Sequence, residues 1–229
     1  MVDTVNLLSK HHRGAEFSEL MVATAPGRFG EAFWQFWKVH LEPAIGDGSP
    51  CLLDLGTGPG LVIEHWHRRY PQARYVGVDL MPYMLEKAQQ VLADIPRLQL
   101  LQADLHDPQL PLAAGSVDVA QAVMVLHEMV QPLRLLQTAH RLLKSGGRLL
   151  IVDWVRASIR DYFDPATVDK LLDPATDTAY LDDQITHFWE HNRYSYDDLL
   201  WMLEIIGFQL LNYELYNNDR FVRIAVIKP

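Results

Sequence analysis

The chain has 229 residues, 49% apolar and 21% charged, with 20 Lys plus Arg against 29 Asp plus Glu and a net charge of −9. This globular composition excludes disordered, collagenous and coiled-coil chains, and at about 150 residues per domain the length predicts one α/β domain with elaborations. The acidic balance argues against nucleic acid and anionic membranes as partners, while the single cysteine, Cys51, excludes a disulfide framework or cysteine metal site and fits a reducing, cytoplasmic compartment.

The opening MVDTVNLLSKHHRG lacks the basic start and long apolar run of a secretory signal. Every apolar run stops well short of about 18 residues, so no membrane span is expected. His11 and His12 fall here, where an N-terminal arm could close over a substrate. Further on, Phe29, Phe33, Phe36, Trp37 and Leu41 recur at helical spacing. The plain reading is a helix packed on the sheet. The sharper one is a cap over residues 1–45 whose aromatics also line a substrate pocket.

Residues 46–154 alternate short β-type runs with helical patterns. PCLLDL (50–55), RYVGVD (74–79), LQLLQAD (98–104), SVDVAQAV (116–123) and GRLLIVDW (147–154) read as strands, and 61–70, 82–93 and 132–143 as helices. Pro82 and Pro132 suit first helical turns, and Gly146–Gly147 suits a helix exit. Such alternation predicts βαβ units and a parallel sheet. The stretch 155–194 is acidic and aromatic, and far longer than the usual connection of about 2–6 residues. A lid, a binding loop or an arm that builds a homodimer are the uses of such an excess. Ser195 is an N-cap candidate for the helix YDDLLWMLEIIG, followed by the strands FQLLNYELY and RFVRIAVIKP. No Gly-rich linker divides the chain. One domain is expected, in four parts: 1–45, 46–154, 155–194 and 195–229.

LDLGTGPGL, from Leu53 to Leu61, lies between a buried strand and a helix. Gly56, Gly58 and Gly60 allow a tight turn and the close approach of a ligand, and the N–H groups of the helix start favour an anion. A dinucleotide fingerprint would need glycine where Leu61 stands, and the Gly-Lys-Ser/Thr of a phosphate loop is absent. Asp79 ends the next strand, where a carboxylate can accept both hydroxyls of an adenosine ribose. Asp104 ends the third, within reach of an adenine amino group, and Asp54 lies at the end of the first. Three acids at successive strand ends suit a cationic ligand better than a pyrophosphate.

Taken in order, these motifs resemble the class I S-adenosylmethionine-dependent methyltransferases. The likeness runs from about Cys51 to Trp154 and extends to the late helix and strand pair. It implies a three-layer α/β sandwich, with a mostly parallel seven-stranded sheet ending in an antiparallel pair, a helical N-terminal cap and an insertion after the fifth strand. It also implies S-adenosylmethionine as cofactor of the 46–154 core. The residues carried over are Asp54, Gly56, Thr57, Gly58 and Gly60 of the first motif, then Asp79 with Leu80 and Met84, then Asp104 with Leu105 ahead of LPLAAGSVD. In VAQAVMVLHEM the backbone near Gln121 would face the methionine amino group, and LLKSGGRLLIVDW matches the helix and strand that follow.

Methyl transfer is an in-line displacement that positioning and exclusion of water can drive. A base matters when a hydroxyl or thiol must lose a proton. His127, just past the fourth strand, suits that role with an ordinary pKa near 6.5; a hydrogen-bonded structural histidine is the alternative. Trp154, Tyr194 and His191 are candidate substrate walls, although Trp154 also reads as core, and an aromatic face would attract a cationic amine or a sulfonium. His187 and His191 stand four apart and could share a metal with Glu190, but the H-E-x-x-H pattern is absent and no metal is expected. His65 and His67 read as surface, and the acids from Asp161 to Asp183 as a solvated stretch. The expected acceptor is a small molecule methylated on O, N or S. Two other readings stay open. A nicotinamide-dependent oxidoreductase of the short-chain type would use Tyr83 and Lys87, a Tyr-x-x-x-Lys match on the second helix rather than a late one; a non-catalytic S-adenosylmethionine-binding protein would have no turnover.

Overall fold

The structure, a computed structural model, describes residues 16–107 and 109–229; His11 and His12 lie outside them. Seven strands, β1 (Cys51–Leu55), β2 (Arg74–Asp79), β3 (Leu98–Gln102), β4 (Val117–Val123), β5 (Leu143–Trp154), β6 (Gln209–Tyr216) and β7 (Phe221–Ile227), form one sheet in the order β3-β2-β1-β4-β5-β7-β6. β1 to β5 pair in parallel, and β7 runs antiparallel between β5 and β6. All five residues of β1 are buried. Covered on both faces, it carries apolar residues on both, with Asp54 its one charged residue, rather than alternating apolar with exposed polar ones.

The helices are α1 (Glu16–Arg28), α2 (Glu31–His40), α3 (Leu61–Arg69), α4 (Pro82–Val91), α5 (Pro132–Leu142), α6 (Ile159–Tyr162), α7 (Pro165–Leu172), α8 (Thr178–His191) and α9 (Tyr196–Ile206). On one face of the sheet, Leu135, Leu136 and Ala139 of α5 and Leu199 and Leu203 of α9 pack on Leu53, Leu55 and Ile151. On the other, Phe33, Phe36 and Trp37 of α2, Ile63 and Trp66 of α3 and Ala88 of α4 pack on Leu52, Tyr75 and Leu150. The result is a three-layer sandwich. Cys51, 3% exposed, is one of its core residues.

Two local departures from the sequence pattern have physical causes. The chain passes directly from α5 into β5 at Leu143, and Gly146 (φ +79) lies inside the strand. β4 and β5 shift register there, Val117 facing Leu143 and Val119 facing Arg148, so the glycines build a bulge rather than a helix exit. The N-terminal aromatics, in turn, are core. Trp37 stacks near Trp66 with ring centroids 5.3 Å apart and donates its indole N–H to Tyr70 Oη at 2.9 Å. His65, half-buried, also packs against the Phe29 and Trp34 rings.

Candidate active site

The parallel strands end on one edge, and β1 lies where the order turns, with β2 on one side and β4 on the other. Open α/β sheets bind ligands outside such a point. A cavity of about 430 Å³ lies there, within the range of small-molecule sites. Its walls come from the loops after β1 to β4, from Trp154 at the end of β5, and from α1 and α8. Phe221 completes the rim; β7 runs antiparallel, so its first residue reaches this same edge, facing Trp154 across the pair.

Asp79 holds the glycine loop. Its Oδ2 accepts the Gly58 N–H at 2.8 Å and its Oδ1 the Met81 N–H at 2.9 Å. Gly56 and Thr57 both donate to the Val78 carbonyl at 2.8 Å. Gly56 stands at φ +77, and a Cβ there would fall 2.2 Å from Val125 Cγ2. Gly58 lines the cavity, and among the described residues, its chain neighbours aside, no atom lies within 4 Å of the position its Cβ would take. A ligand can therefore approach the backbone at Gly58 while Gly56 locks the loop onto the loop after β4.

Asp79, Leu80, Met84, Asp104, Leu105, Gly56 and Gly58 all line the cavity, as do His127, Trp154 and His191. Asp54, Thr57, Gly60, Gln121 and Tyr194 are not on its surface. Asp54 is buried behind the loop and accepts from Gln121 Nε2 at 2.9 Å. Burial pushes its carboxyl up to about 6, against the pull of the Gln121 hydrogen bond and with help from the Asp79 charge. Tyr194 donates its hydroxyl to the Met129 carbonyl at 2.8 Å, so it braces a wall from behind. Asp104 folds back on its own turn, accepting from the backbone N–H and Nδ1 of His106 at 2.9 and 2.8 Å.

Asp153, a residue that sequence reasoning passed over, organises the other end. It is fully buried, and its two oxygens accept from Val125 N (3.1 Å), Leu126 N (2.6 Å), Trp154 N (2.8 Å) and His127 Nδ1 (2.5 Å). The carboxylate thus caps the short turn Leu126–Glu128 and aims the imidazole. Because it only accepts, the His127 proton is on Nδ1, and Nε2 lies 3.7 Å from Glu128 Oε1. Burial opposes the charged imidazolium, but the Asp153 charge and hydrogen bond, backed by Glu128, outweigh it and hold the pKa above 6.5.

The 155–194 stretch folds into α6, α7 and α8 and reaches back over this end. His191 stacks on His127 with centroids 4.9 Å apart and lies edge-on to Trp154 at 5.0 Å. Its exit is tied down: Arg156 N–H donates to the Tyr194 carbonyl at 2.7 Å, and Ala157 N–H to Asn192 Oδ1 at 3.0 Å. Tyr162 hydrogen-bonds His187. Among the described residues no three His, Cys, Asp or Glu are grouped to hold a metal ion, and no helix is long and apolar enough to cross a membrane. Lys87 of the Tyr-x-x-x-Lys match forms an ion pair with Glu19 at 2.7 Å on α1.

The cover opposite is α1, not the aromatic α2. Phe17, Leu20, Met21, Thr24 and Arg28 line the cavity. Their spacing marks one helix face and was the available signal, obscured by the Pro26–Gly27 pair near the helix end.

A sheet of this order, with a glycine loop after β1 and acids ending β2 and following β3, defines the class I methyltransferase fold. Residues 53–151 match the family described as "Methyltransferase domain", and that stretch carries the glycine loop and strand-end acids on the fold of the class I S-adenosylmethionine-dependent methyltransferases. It is 39% identical over 122 residues to a ubiquinone/menaquinone biosynthesis C-methyltransferase of Syntrophotalea carbinolica, covering 53% of this chain and 50% of that protein. A trans-aconitate 2-methyltransferase of Azoarcus is 38% identical over 109 residues, 46% of this chain and 39% of its own length. The chain thus spans about half or less of the length of these relatives. Geranyl diphosphate C-methyltransferase of Streptomyces coelicolor, solved with S-adenosylhomocysteine, shares the fold at TM-score 0.62 and 19% identity, over 93% of this chain and 84% of that one.

The residues present fit S-adenosylmethionine. The Gly58 backbone is a cradle that any Cβ would fill, and the acids Asp79, Asp104 and Glu128 suit a cationic nucleoside.

Proposed function

We propose that this protein transfers the methyl group of S-adenosylmethionine to an oxygen, nitrogen or sulfur atom of a small acceptor held between α8 and the end of β5. The observation that carries the acceptor side is the His127–Asp153 pair opening on the cavity. When bound, S-adenosylmethionine supplies a methyl group on a sulfonium with a good leaving group. Asp79 and the Gly58 backbone hold the nucleoside, and Leu80, Met84 and Leu105 flank it. His127 Nε2 takes the acceptor's proton as the new bond to carbon forms, while Asp153 keeps the ring's tautomer and stabilises its charge. Trp154, Phe221 and His191 hold a flat or cationic acceptor and, with α1, exclude water. The names of the relatives, pointing to quinone biosynthesis and trans-aconitate, support a small metabolite as acceptor.

The test has two parts. Calorimetry should give binding of S-adenosylhomocysteine, and no binding by a folded sample would overturn the reading. Transfer of labelled methyl across a panel of phenols, amines, thiols and carboxylates should then yield product. Its rate should rise with pH through the raised His127 pKa. Asp153→Asn removes the charge that raises that pKa, so the rise should move to lower pH and the maximum rate should fall about 100-fold or more, the usual range for a displaced base. Binding without product for every acceptor would favour a non-catalytic binding protein, and a pH profile unmoved by Asp153→Asn would remove the base from the mechanism.

A further inference from the structure

The stretch 155–194 is held to the rest of the molecule by little apolar packing. α6 and α7 bury no residue, and α8 buries only Phe188 and His191. Its two ends are drawn together instead. Arg156 donates from Nη2 to the Arg193 carbonyl at 2.8 Å and from Nε to the Asn192 carbonyl at 3.3 Å, beside the backbone ties of Arg156 and Ala157. A segment clamped at its neck and lightly packed beyond it opens at low cost as one unit.

Beyond the neck, Arg220 bridges the stretch to the sheet. Its guanidinium carbon lies 4.8 Å from the Trp154 ring centroid, at the end of β5, and 4.9 Å from that of Tyr162 on α6. Nε is buried with no hydrogen-bond partner among the described residues, and the ring faces receive the cation. Tyr162 hydrogen-bonds His187, whose ring lies 4.0 Å from His191, and His191 returns edge-on to Trp154. These five side chains close a circuit, three of which, Trp154, His187 and His191, line the cavity. The turn that carries Arg220 is itself unusual. Asn217, Asn218 and Asp219 stand at φ +54, +55 and +57, three successive residues in the left-handed region. Asn and Asp tolerate it best, yet such a turn persists only where its surroundings fix it. Here the Arg220 carbonyl accepts the Val155 N–H at 2.9 Å, where the chain leaves β5 for α6.

Taking the acceptor end assigned above, we propose that Arg220 is a positioning residue for the acceptor: seated on Trp154 and Tyr162, it latches α6–α8 down as a hinged lid and so sets the His191 wall against His127. Acceptor enters when Tyr162 lifts off Arg220 and the lid swings on its neck. Two ring-face contacts with a partly shielded cation bias the lid toward closure by about tenfold.

Hydrogen exchange read by mass spectrometry tests the latch without an acceptor. Arg220→Met keeps an unbranched apolar side chain and removes the charge. Amides of 159–191 should then exchange about 10-fold faster while those of β1 and β4 stay unchanged, and Arg220→Lys, which keeps a cation, should recover part of the protection. Adding Arg220→Met to Tyr162→Leu should speed exchange no further, because Arg220 acts on the lid through Tyr162. For an acceptor found by the methyl-transfer panel, Arg220→Met should raise KM about 10-fold with kcat within about threefold. Unchanged lid protection in Arg220→Met would overturn the proposal. So would multiplied effects in the double variant, Arg220→Lys as fast as Arg220→Met, or an unchanged KM. S-adenosylhomocysteine should bind wild type and Arg220→Met within about twofold; a large loss would mean a displaced sheet rather than an unlatched lid, and would also overturn it. A panel without product, or a wild-type chain that fails to bind S-adenosylhomocysteine, would instead sink the functional reading, and lid exchange would still decide the latch.

Discussion

At the scale of single residues, buried carboxylates divide the work. Asp54 and Asp153 are both sealed from solvent, yet Asp153 is ringed by four donors while Asp54 accepts from the Gln121 amide at 2.9 Å. The difference predicts a pH dependence. A carboxyl raised from 3.8 to about 6 binds its proton more tightly when folded, so Asp54 costs stability progressively as pH rises from about 4 to 6, about 3 kcal/mol in all. Urea unfolding of wild type and Asp54→Asn across pH 4 to 7 should show this slope in the wild type and its loss in the variant. Identical slopes would mean that Asp54 is solvated. The glycine loop and the acids at Asp79 and Asp104 were legible in the sequence because each ends a strand. Asp153 was not, because its importance lies in a turn 26 positions earlier that only parallel pairing of β4 and β5 brings to it.

Elements whose ends carry their own chemistry were the readily legible ones. Ser195 caps α9 with a reciprocal box, accepting the Asp198 N–H at 3.1 Å while its own N–H donates to Asp198 Oδ2 at 2.7 Å. Ser195→Ala should cost about 1 kcal/mol, seen as a lower urea midpoint at constant slope; no change would show that tertiary packing alone holds the helix. α1 is the opposite case. It has no strong apolar stripe, and Thr24 and Arg28 on its cavity face read as solvent-exposed residues until a cavity is known. The aromatic α2 left two readings open for the complementary reason, and the plain one, packing on the sheet, is what the structure has: apolar spacing tells that a face is buried but not whether core or ligand buries it.

For the molecule as a whole, alternation of strands and helices was enough to foresee the sheet, since parallel strands admit few connections. The substrate walls were not foreseeable in the same way, because α1, α8 and the start of β7 meet only in three dimensions. A ligand gripped by all of them should stabilise the whole fold. S-adenosylhomocysteine at about 100 times its dissociation constant should add about 2.7 kcal/mol, raising the melting temperature by about 5–10 °C for a domain of this size. NADH should give no shift, and an equal shift with NADH would restore the nicotinamide reading. The antiparallel run of β7 has one more consequence. Phe221 belongs to the strand of this sheet that is synthesised last, yet it faces Trp154, made 67 residues earlier, across the mouth of the site. During translation the glycine loop and its acids emerge long before the pocket has its full rim. A growing chain would thus offer cofactor an open groove at first and a closed chamber only at the final stage, so that tight capture is reserved for chains that have completed the sheet.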